Sequence, residues 1–210
     1  MRQNVVMLVR RSVLVVVAVC AVLASGQQFS NDESIFDGKT LDGWTAIGGG
    51  KWEVKDGVIA GTSTKDQPQG ILLWKDPVKN FTAKLKFRIR AGDSGFYFRT
   101  ERVDDEVIVH GFQVEVDTSL ETGGIYETGG RGWVHFPDFK LHDQSKYKPG
   151  EWTDLEVTAI GTHYLIKVNG VVITDIDDPK GRTEGRLALQ LHGGLEMDIE
   201  YKDIYLKALK

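Results

Sequence analysis

From residue 27 onward the chain consists mainly of short segments in which apolar and polar residues alternate, separated by Gly, Asn and Asp. Alternation with a period of two is typical of β-strands that bury one face. Asp56-Gly57 and Asn169-Gly170 each separate two such segments and predict tight hairpin turns. The other predicted strands are Phe81–Arg90, Gly95–Thr100, Gly111–Asp117, Asp154–Ala159, Arg186–His192 and Met197–Leu209.

These strands predict the fold class. No segment after residue 27 has a strong helical period with caps, although short helical turns fit between residues 137 and 147. About a dozen closely spaced strands in one domain are typical of two packed sheets. No repeat, low-complexity tract or linker divides residues 27–210. We therefore predict one all-β domain, a two-sheet antiparallel β-sandwich of the jelly-roll kind.

The N-terminal segment has the organisation of a secretory signal peptide. Three arginines within the first 11 residues precede an apolar run over residues 12–23, and small residues follow at 24–26. The run is shorter than the roughly 18 residues of a membrane-spanning helix. We predict cleavage near Gly26 and export to the periplasm or medium. A retained anchor and a lipoprotein modified at Cys20 are the alternatives.

Charge and cysteine content narrow the class of partner. Removing residues 1–26 removes three arginines and the only cysteine, and changes the net charge from -4 to -7. An acidic surface argues against nucleic acid and against an anionic membrane surface. The 184 residues that follow contain no thiol, so neither a disulfide nor a thiolate site is expected. They are enough for a substantial core.

Three of the predicted strands have one apolar face and one face of long polar or ionisable side chains. In Gly111–Asp117, Phe112 and Val114 belong to the apolar face. If the three strands are neighbours, their polar faces form one patch; the alternative is ordinary solvated surface. The polar faces of the three strands carry Tyr97 and Arg99, then Gln113, Glu115 and Asp117, then Gln190 and His192.

Glu115 and Asp117 are two residues apart, so their Cα atoms lie roughly 6.5 Å apart on a strand. Their carboxyl groups could approach to about 5–5.5 Å, the separation used by retaining glycosidases. Two close carboxylates also raise one pKa, which suits an acid and a base. The alternative is that one of them anchors a loop.

A glycine-rich segment, residues 123–133, follows the acidic strand. Glycine allows close approach of the backbone to a ligand, and no phosphate-loop signature follows. We predict a loop at the rim of a sugar site; a turn-rich connection with Trp133 in the core is the alternative. The candidate substrate contacts are Tyr97, Gln113, Tyr126, Glu127, Arg131, Trp133 and Gln190.

Seven motifs occur in order over about residues 33–209. They are Phe36–Trp44, Trp52–Ile59, Ser94–Arg99, Gly111–Asp117, Pro149–Trp152, Val168–Gly170 and Leu189–Gly193. This ordered set resembles the 3-keto-disaccharide hydrolase domain family, although the segment 123–133 departs from the commoner family pattern. The resemblance implies a fold similar to concanavalin A-like lectins and glucanases, and cleavage of sugars oxidised to a ketone at C3.

Such a reaction needs a base, a group that stabilises an enolate oxygen and an acid for the leaving oxygen. The candidate base is Glu115 or Asp117. Arg99 is the candidate stabiliser, and His192 the candidate acid or base. A divalent metal ion is the alternative to Arg99, and no other cofactor is indicated. The competing functions are a non-catalytic carbohydrate-binding module and an ordinary retaining glycosidase, and the oligomeric state is left open.

Overall fold

The computed structural model describes residues 32–105 and 108–210. The predicted signal peptide lies outside the described residues, so export remains a prediction. Within the described residues, no helix has the length and apolar character needed to span a bilayer.

The described residues form two antiparallel sheets, which confirms the predicted fold class. One sheet contains β1 (Glu33–Ser34), β3 (Lys51–Lys55), β4 (Val58–Ser63), β6 (Phe81–Ala91), β11 (Thr153–Ile160), β12 (His163–Val168), β13 (Val171–Asp177) and β15 (Met197–Ala208). The other contains β2 (Trp44–Gly48), β5 (Gly70–Val78), β7 (Asp93–Arg102), β8 (Val109–Asp117), β9 (Ile125–Thr128), β10 (Gly132–His135) and β14 (Gly185–Leu191). One short helix, α1 (Phe139–Ser145), follows β10.

The strand order places the three polar-faced strands side by side. The first sheet runs β13-β12-β11-β6-β15-β4-β3, with β1 paired to β15. The second runs β10-β9-β8-β7-β14-β5-β2. Strands β8, β7 and β14 are therefore consecutive, as a shared polar patch requires.

The core lies between the sheets and follows from alternation. In β6, every second side chain from Phe81 to Ile89 is buried, and the lysines and arginines between them face outward. Three aromatic rings join the sheets: Phe98 and Phe112 lie 5.4 Å apart, and Tyr164 lies 5.3 and 5.2 Å from them between centroids. Such contacts favour one alignment of the sheets.

Both predicted hairpin turns are confirmed. Asp56 and Gly57 have φ of 51° and 79°, and Asn169 and Gly170 have φ of 49° and 81°. Two consecutive positive φ values match the right-handed strand twist, and Asn, Asp and Gly tolerate them best.

The segment 123–133 differs from the prediction. Its residues are not only a loop, because β9 and the start of β10 pair there as a hairpin at the sheet edge. Because each of these strands has only four residues, alternation of apolar and polar side chains is weak there. The sequence therefore predicted the glycine-rich turns but not the strands.

Candidate functional site

A pocket of about 370 Å³ opens on the face of the second sheet that points away from the core. Its floor comes from β7, β8 and β14, and its wall comes from β9, β10 and the loop before β9. It is lined by Gln69, Asp93, Tyr97, Gln113, Glu115, Glu121, Tyr126, Thr128, Gly129, Trp133, Gln190 and His192. The pocket thus gathers seven of the predicted site residues: Tyr97, Gln113, Glu115, Tyr126, Trp133, Gln190 and His192.

A glycine keeps the pocket floor open beside Glu115. Gly95 pairs with Glu115 across β7 and β8, and it lies between Asp93 and Tyr97 on the same face. A Cβ at Gly95 would stand 3.1 Å from the Gln113 side chain. A larger residue would therefore push into the floor between the polar groups.

A row of hydrogen bonds fixes the floor. The hydroxyl of Tyr97 lies 2.9 Å from Thr128 Oγ1 and accepts a hydrogen bond of 3.2 Å from Gln190 Nε2. The same Gln190 amide lies 3.3 Å from Gln69 Oε1. Burial raises the pKa of Tyr97 far above its ordinary range, so the phenol stays neutral and acts as a hydrogen-bonding group.

Glu115 is buried in the floor and accepts a hydrogen bond from Gln113 Nε2. Burial, and then the negative charge of Asp93, raise the pKa of Glu115 well above its ordinary value. A raised pKa favours the protonated form of this carboxyl group, which can donate a hydrogen bond to an oxyanion.

Asp93 is the second acid in the pocket, and the sequence analysis missed it. Its pKa is raised to about 6, mainly by burial; the charge of His192 opposes the shift, and the negative charges of Asp117 and Glu121 add to it. Both acids of the pocket therefore have raised pKa values, and burial is the main cause in each case. Carboxyl groups with raised pKa values suit proton transfer in neutral solution.

Buried acceptors without partners point to a hydroxyl-rich ligand. Asp93 Oδ1, Gln113 Oε1 and Gln190 Oε1 are buried and accept no hydrogen bond. Such groups cost free energy unless a donor reaches them. All three residues line the pocket, so a ligand with several hydroxyl groups would satisfy them.

His192 lies just after β14 and is half-buried in the pocket wall. Its Nδ1 lies 2.7 Å from the carbonyl oxygen of Gly193. A carbonyl only accepts, so Nδ1 carries the hydrogen, which leaves Nε2 to exchange a proton with a ligand.

The placement of Arg99 in the pocket was wrong. Its backbone φ is 52°, a left-handed conformation at a bulge in β7, which turns the side chain to the core side. The guanidinium donates to the carbonyl oxygens of Gly161 and Arg182 and, at 3.1 Å, to that of Lys79. It also lies 5.3 Å from the Tyr164 ring. Arg99 therefore joins loops at one end of the sandwich.

The carboxylate of Asp117 anchors the loop that follows β8. Its Oδ1 accepts from Thr122 Oγ1 at 2.7 Å, and its Oδ2 accepts from the backbone NH of Ser119 at 3.0 Å. It does not line the pocket, although it stands opposite Asp93 in the strand register. The two acids that line the pocket are therefore Asp93 and Glu115, and not the predicted pair of Glu115 and Asp117.

Glu127 and Arg131 also lie outside the pocket. Glu127 pairs with Phe112 in the register and so shares the core face. Arg131 forms an ion pair with Glu127. It also forms a bidentate ion pair with Asp178, in which its Nη1 and Nη2 donate to Oδ1 and Oδ2 at 2.9 and 2.6 Å. These three residues form an ion cluster at the sheet edge, so the structure does not group Glu127 and Arg131 with the predicted sugar contacts that line the pocket. The carboxylates satisfy the guanidinium without a ligand.

Of the pocket residues that the sequence analysis missed, Asp93 was predictable from the strand pattern and two others were not. Asp93 continues the period-two face of Tyr97 and Gly95 by one more step, so a longer predicted strand would have found it. Glu121 and Gln69 precede their strands in loops that show no period. Among residues 32–105 and 108–210, no three His, Cys, Asp or Glu side chains are grouped as metal ligands, and a metal requirement remains a prediction.

Comparison with known families gives one match over most of the chain. The model of the 3-keto-alpha-glucoside-1,2-lyase-like domain matches residues 31–207. A curated relative, the 3-keto-disaccharide hydrolase of Bacteroides thetaiotaomicron, is 31% identical over 80 residues. That alignment covers 33% of this chain and 28% of the relative's length.

Solved structures share the fold. A provisionally assigned glycosyl hydrolase from Parabacteroides distasonis has a TM-score of 0.66 at 20% identity, covering 86% of this chain and 94% of that chain. The carbohydrate-binding module CBM66 from Bacillus subtilis has a TM-score of 0.60 at 17% identity, covering 79% and 96%. A galectin-like protein from the same organism has a TM-score of 0.62 at 10% identity, covering 80% and 90%.

Proposed function

The chain belongs to the 3-keto-alpha-glucoside-1,2-lyase-like domain family, and from that premise we propose that it cleaves glycosides whose C3 carries a ketone. The observation that carries the proposal is the grouping of two buried acids with raised pKa values, Asp93 and Glu115, with His192 in one pocket. A base and a proton donor are what removal of a proton next to a ketone requires.

The chemistry follows from the ketone. It acidifies the hydrogen on C2, and we assign its removal to the Asp93 carboxylate, whose pKa of about 6 suits a base in neutral solution. The C2–H electron pair forms an enolate, and the protonated Glu115 donates a hydrogen bond to the enolate oxygen on C3.

Collapse of the enolate re-forms the C3 ketone and makes a C1–C2 double bond, and the C1–O bond breaks with its electrons on the leaving oxygen. Asp93 passes the proton taken from C2 to Nε2 of His192, which carries no hydrogen when Nδ1 does, and Nε2 delivers that proton to the leaving oxygen. Addition of water across the double bond would complete a hydrolysis.

The pocket also offers positions for the sugar. The unpaired acceptors of Gln113 and Gln190 face the same space as the acids and can receive sugar hydroxyl donors. Tyr126 and Trp133 close the opposite wall, where aromatic rings can cover the apolar C–H face of a sugar.

The test is incubation of the protein with a 3-keto-glycoside and, separately, with its unoxidised parent. We expect release of the group on C1 and a conjugated enone absorbance from the keto substrate only. Glu115→Gln replaces the proposed O–H donor by an amide and should lower kcat by up to about 10²–10³-fold, while the isosteric variant Asp117→Asn, outside the pocket, should lower it far less.

Two outcomes would refute this assignment. Cleavage of the parent alone would indicate an ordinary retaining glycosidase. Saturable binding of sugar without turnover, weakened only by degrees in Glu115→Gln, would indicate a carbohydrate-binding module.

A further inference from the structure

Three exposed aromatic rings extend outward from the rim of the pocket. Trp133 lines the pocket and contacts Tyr126, with ring centroids 5.7 Å apart. Phe136 lies 4.8 Å from Trp133, and Phe139 lies 5.9 Å from Phe136. Trp133, Phe136 and Phe139 are 40%, 44% and 55% exposed. We name these three residues the aromatic row.

The aromatic row is unusual for this surface. Among the described residues, the other large apolar side chains exposed to this degree are Leu120, Ile160 and Val172, and none of them is aromatic. Adjacent exposed aromatic rings mark binding surfaces more often than single exposed apolar residues do. The aromatic row is also continuous with the pocket, since Trp133 belongs to both.

Local structure supports both ends of the aromatic row. Trp133 lies on β10 and rests on Gly124, where a Cβ would stand 2.9 Å from the indole. Phe139 begins α1, and Asp138 caps that helix by accepting from the backbone NH of Lys140 at 2.7 Å. A fixed surface loses little entropy on binding, which favours affinity.

We propose that the aromatic row is the subsite for the group on C1, and that this group is an aromatic ring linked through a phenolic oxygen. This inference rests on the proposed function. The acids and unpaired amide oxygens line the pocket, so the proposal places the sugar there and the group on C1 towards the rim. The aromatic row offers apolar faces and edges, which match a planar aromatic ring. A sugar can also pack its C–H face on such rings, but a second sugar would need hydrogen-bond partners for its hydroxyl groups as well.

The chemistry of cleavage agrees with this occupant. When the C1–O bond breaks, its electron pair moves to the leaving oxygen, which takes one proton to become a phenol. A phenol is far more acidic than a sugar hydroxyl, with a pKa near 10 for the tyrosine side chain. Its departure therefore needs less help from His192.

The first test measures binding, which does not depend on turnover. Calorimetry compares phenyl and methyl glucosides of the same anomer, and a disaccharide, on the full protein. We expect the phenyl glucoside to bind about 3- to 10-fold more tightly than the methyl glucoside, as aromatic pairs contribute. The double variant Phe136→Ala/Phe139→Ala should lose this preference. Ile160→Ala, an exposed apolar residue of the other sheet, should keep it.

The second test measures kcat/KM for the phenyl and methyl 3-keto-glucosides. The double variant should lower the phenyl-to-methyl ratio by about the same factor as in binding. Turnover of the methyl substrate with no phenyl preference would overturn the subsite and leave the proposed function standing. A phenyl preference in binding without turnover of either substrate would overturn the proposed function alone.

Two further results would overturn the aromatic occupant. Tighter binding of the disaccharide than of the phenyl glucoside, lost in the double variant, would assign the aromatic row to a second sugar. A dimer seen by sedimentation in the unmodified protein and lost in the double variant would assign it to an interface between two copies.

Discussion

Replacing Asp93 by Asn removes an ionisable group from the pocket and keeps its shape. In the folded chain, burial raises the pKa of Asp93 from 3.8 to about 6, even with the opposing attraction of His192. The folded state therefore binds this proton more tightly than the unfolded state does. The free energy of unfolding consequently falls as pH rises from about 4 to about 6, and the loss is complete above pH 6.

The magnitude follows from the shift. About two pKa units correspond to about 3 kcal/mol of destabilisation in the unmodified protein above pH 6. Asp93→Asn should remove this destabilisation, so the variant should be more stable at pH 8 by up to about 3 kcal/mol. At about 2–4 °C per kcal/mol for a domain of this size, Tm should rise by roughly 6–12 °C. Below pH 4 the two proteins should unfold at the same temperature.

The assay is thermal unfolding of both proteins at pH 3.5 and pH 8, with kcat on a 3-keto-glycoside measured in parallel. We expect Tm to rise only at pH 8, together with a loss of kcat of about 10²-fold or more. The matched control is Asp117→Asn, which disturbs the contacts with Thr122 and Ser119 and should lower Tm at both pH values. An Asp93→Asn variant that is destabilised equally at both pH values would refute the reasoning, because the carboxylate would then be a structural anchor.

Four further predictions concern the pocket and the core. Because the Asp93 base must be ionised, kcat/KM should fall as pH drops below about 6, and a flat profile from pH 5 to 8 would contradict its role. Arg99→Met should leave buried carbonyl groups unsatisfied and lower the free energy of unfolding by about 3–5 kcal/mol in urea titrations; unchanged stability would contradict the structural role. Gly95→Val should crowd Gln113 and raise KM, and an unchanged KM would show that the floor tolerates a side chain. Dialysis against a chelator should leave kcat unchanged if the pocket acids suffice, and restoration by a divalent ion would favour the metal alternative.

The alternation of apolar and polar residues was enough to predict most of the fold. A strand that buries one face must place every second side chain inward, so Phe112 and Val114 faced the core as expected, and Gln113 and Glu115 faced the pocket. The turn residues likewise determined both hairpins, because few residues tolerate two consecutive positive φ values. These features depend on residues close together in the sequence.

The remaining features depend on contacts between distant segments. Arg99 leaves the face of Tyr97 because its left-handed backbone turns it towards carbonyl groups of Lys79, Gly161 and Arg182. No alternation pattern contains that information, since these partners lie in loops that are 20–83 positions away in the sequence.

The choice between the two acids was also made by tertiary structure. Asp93 and Asp117 stand opposite each other on adjacent strands. The loop containing Ser119 and Thr122 returns to bind Asp117, which leaves Asp93 to face His192 in the pocket. The sequence by itself determined which faces of the strands carry polar groups. Only the folded chain decided which of those groups stay free for a ligand, because hydrogen-bond partners come from loops that close in three dimensions.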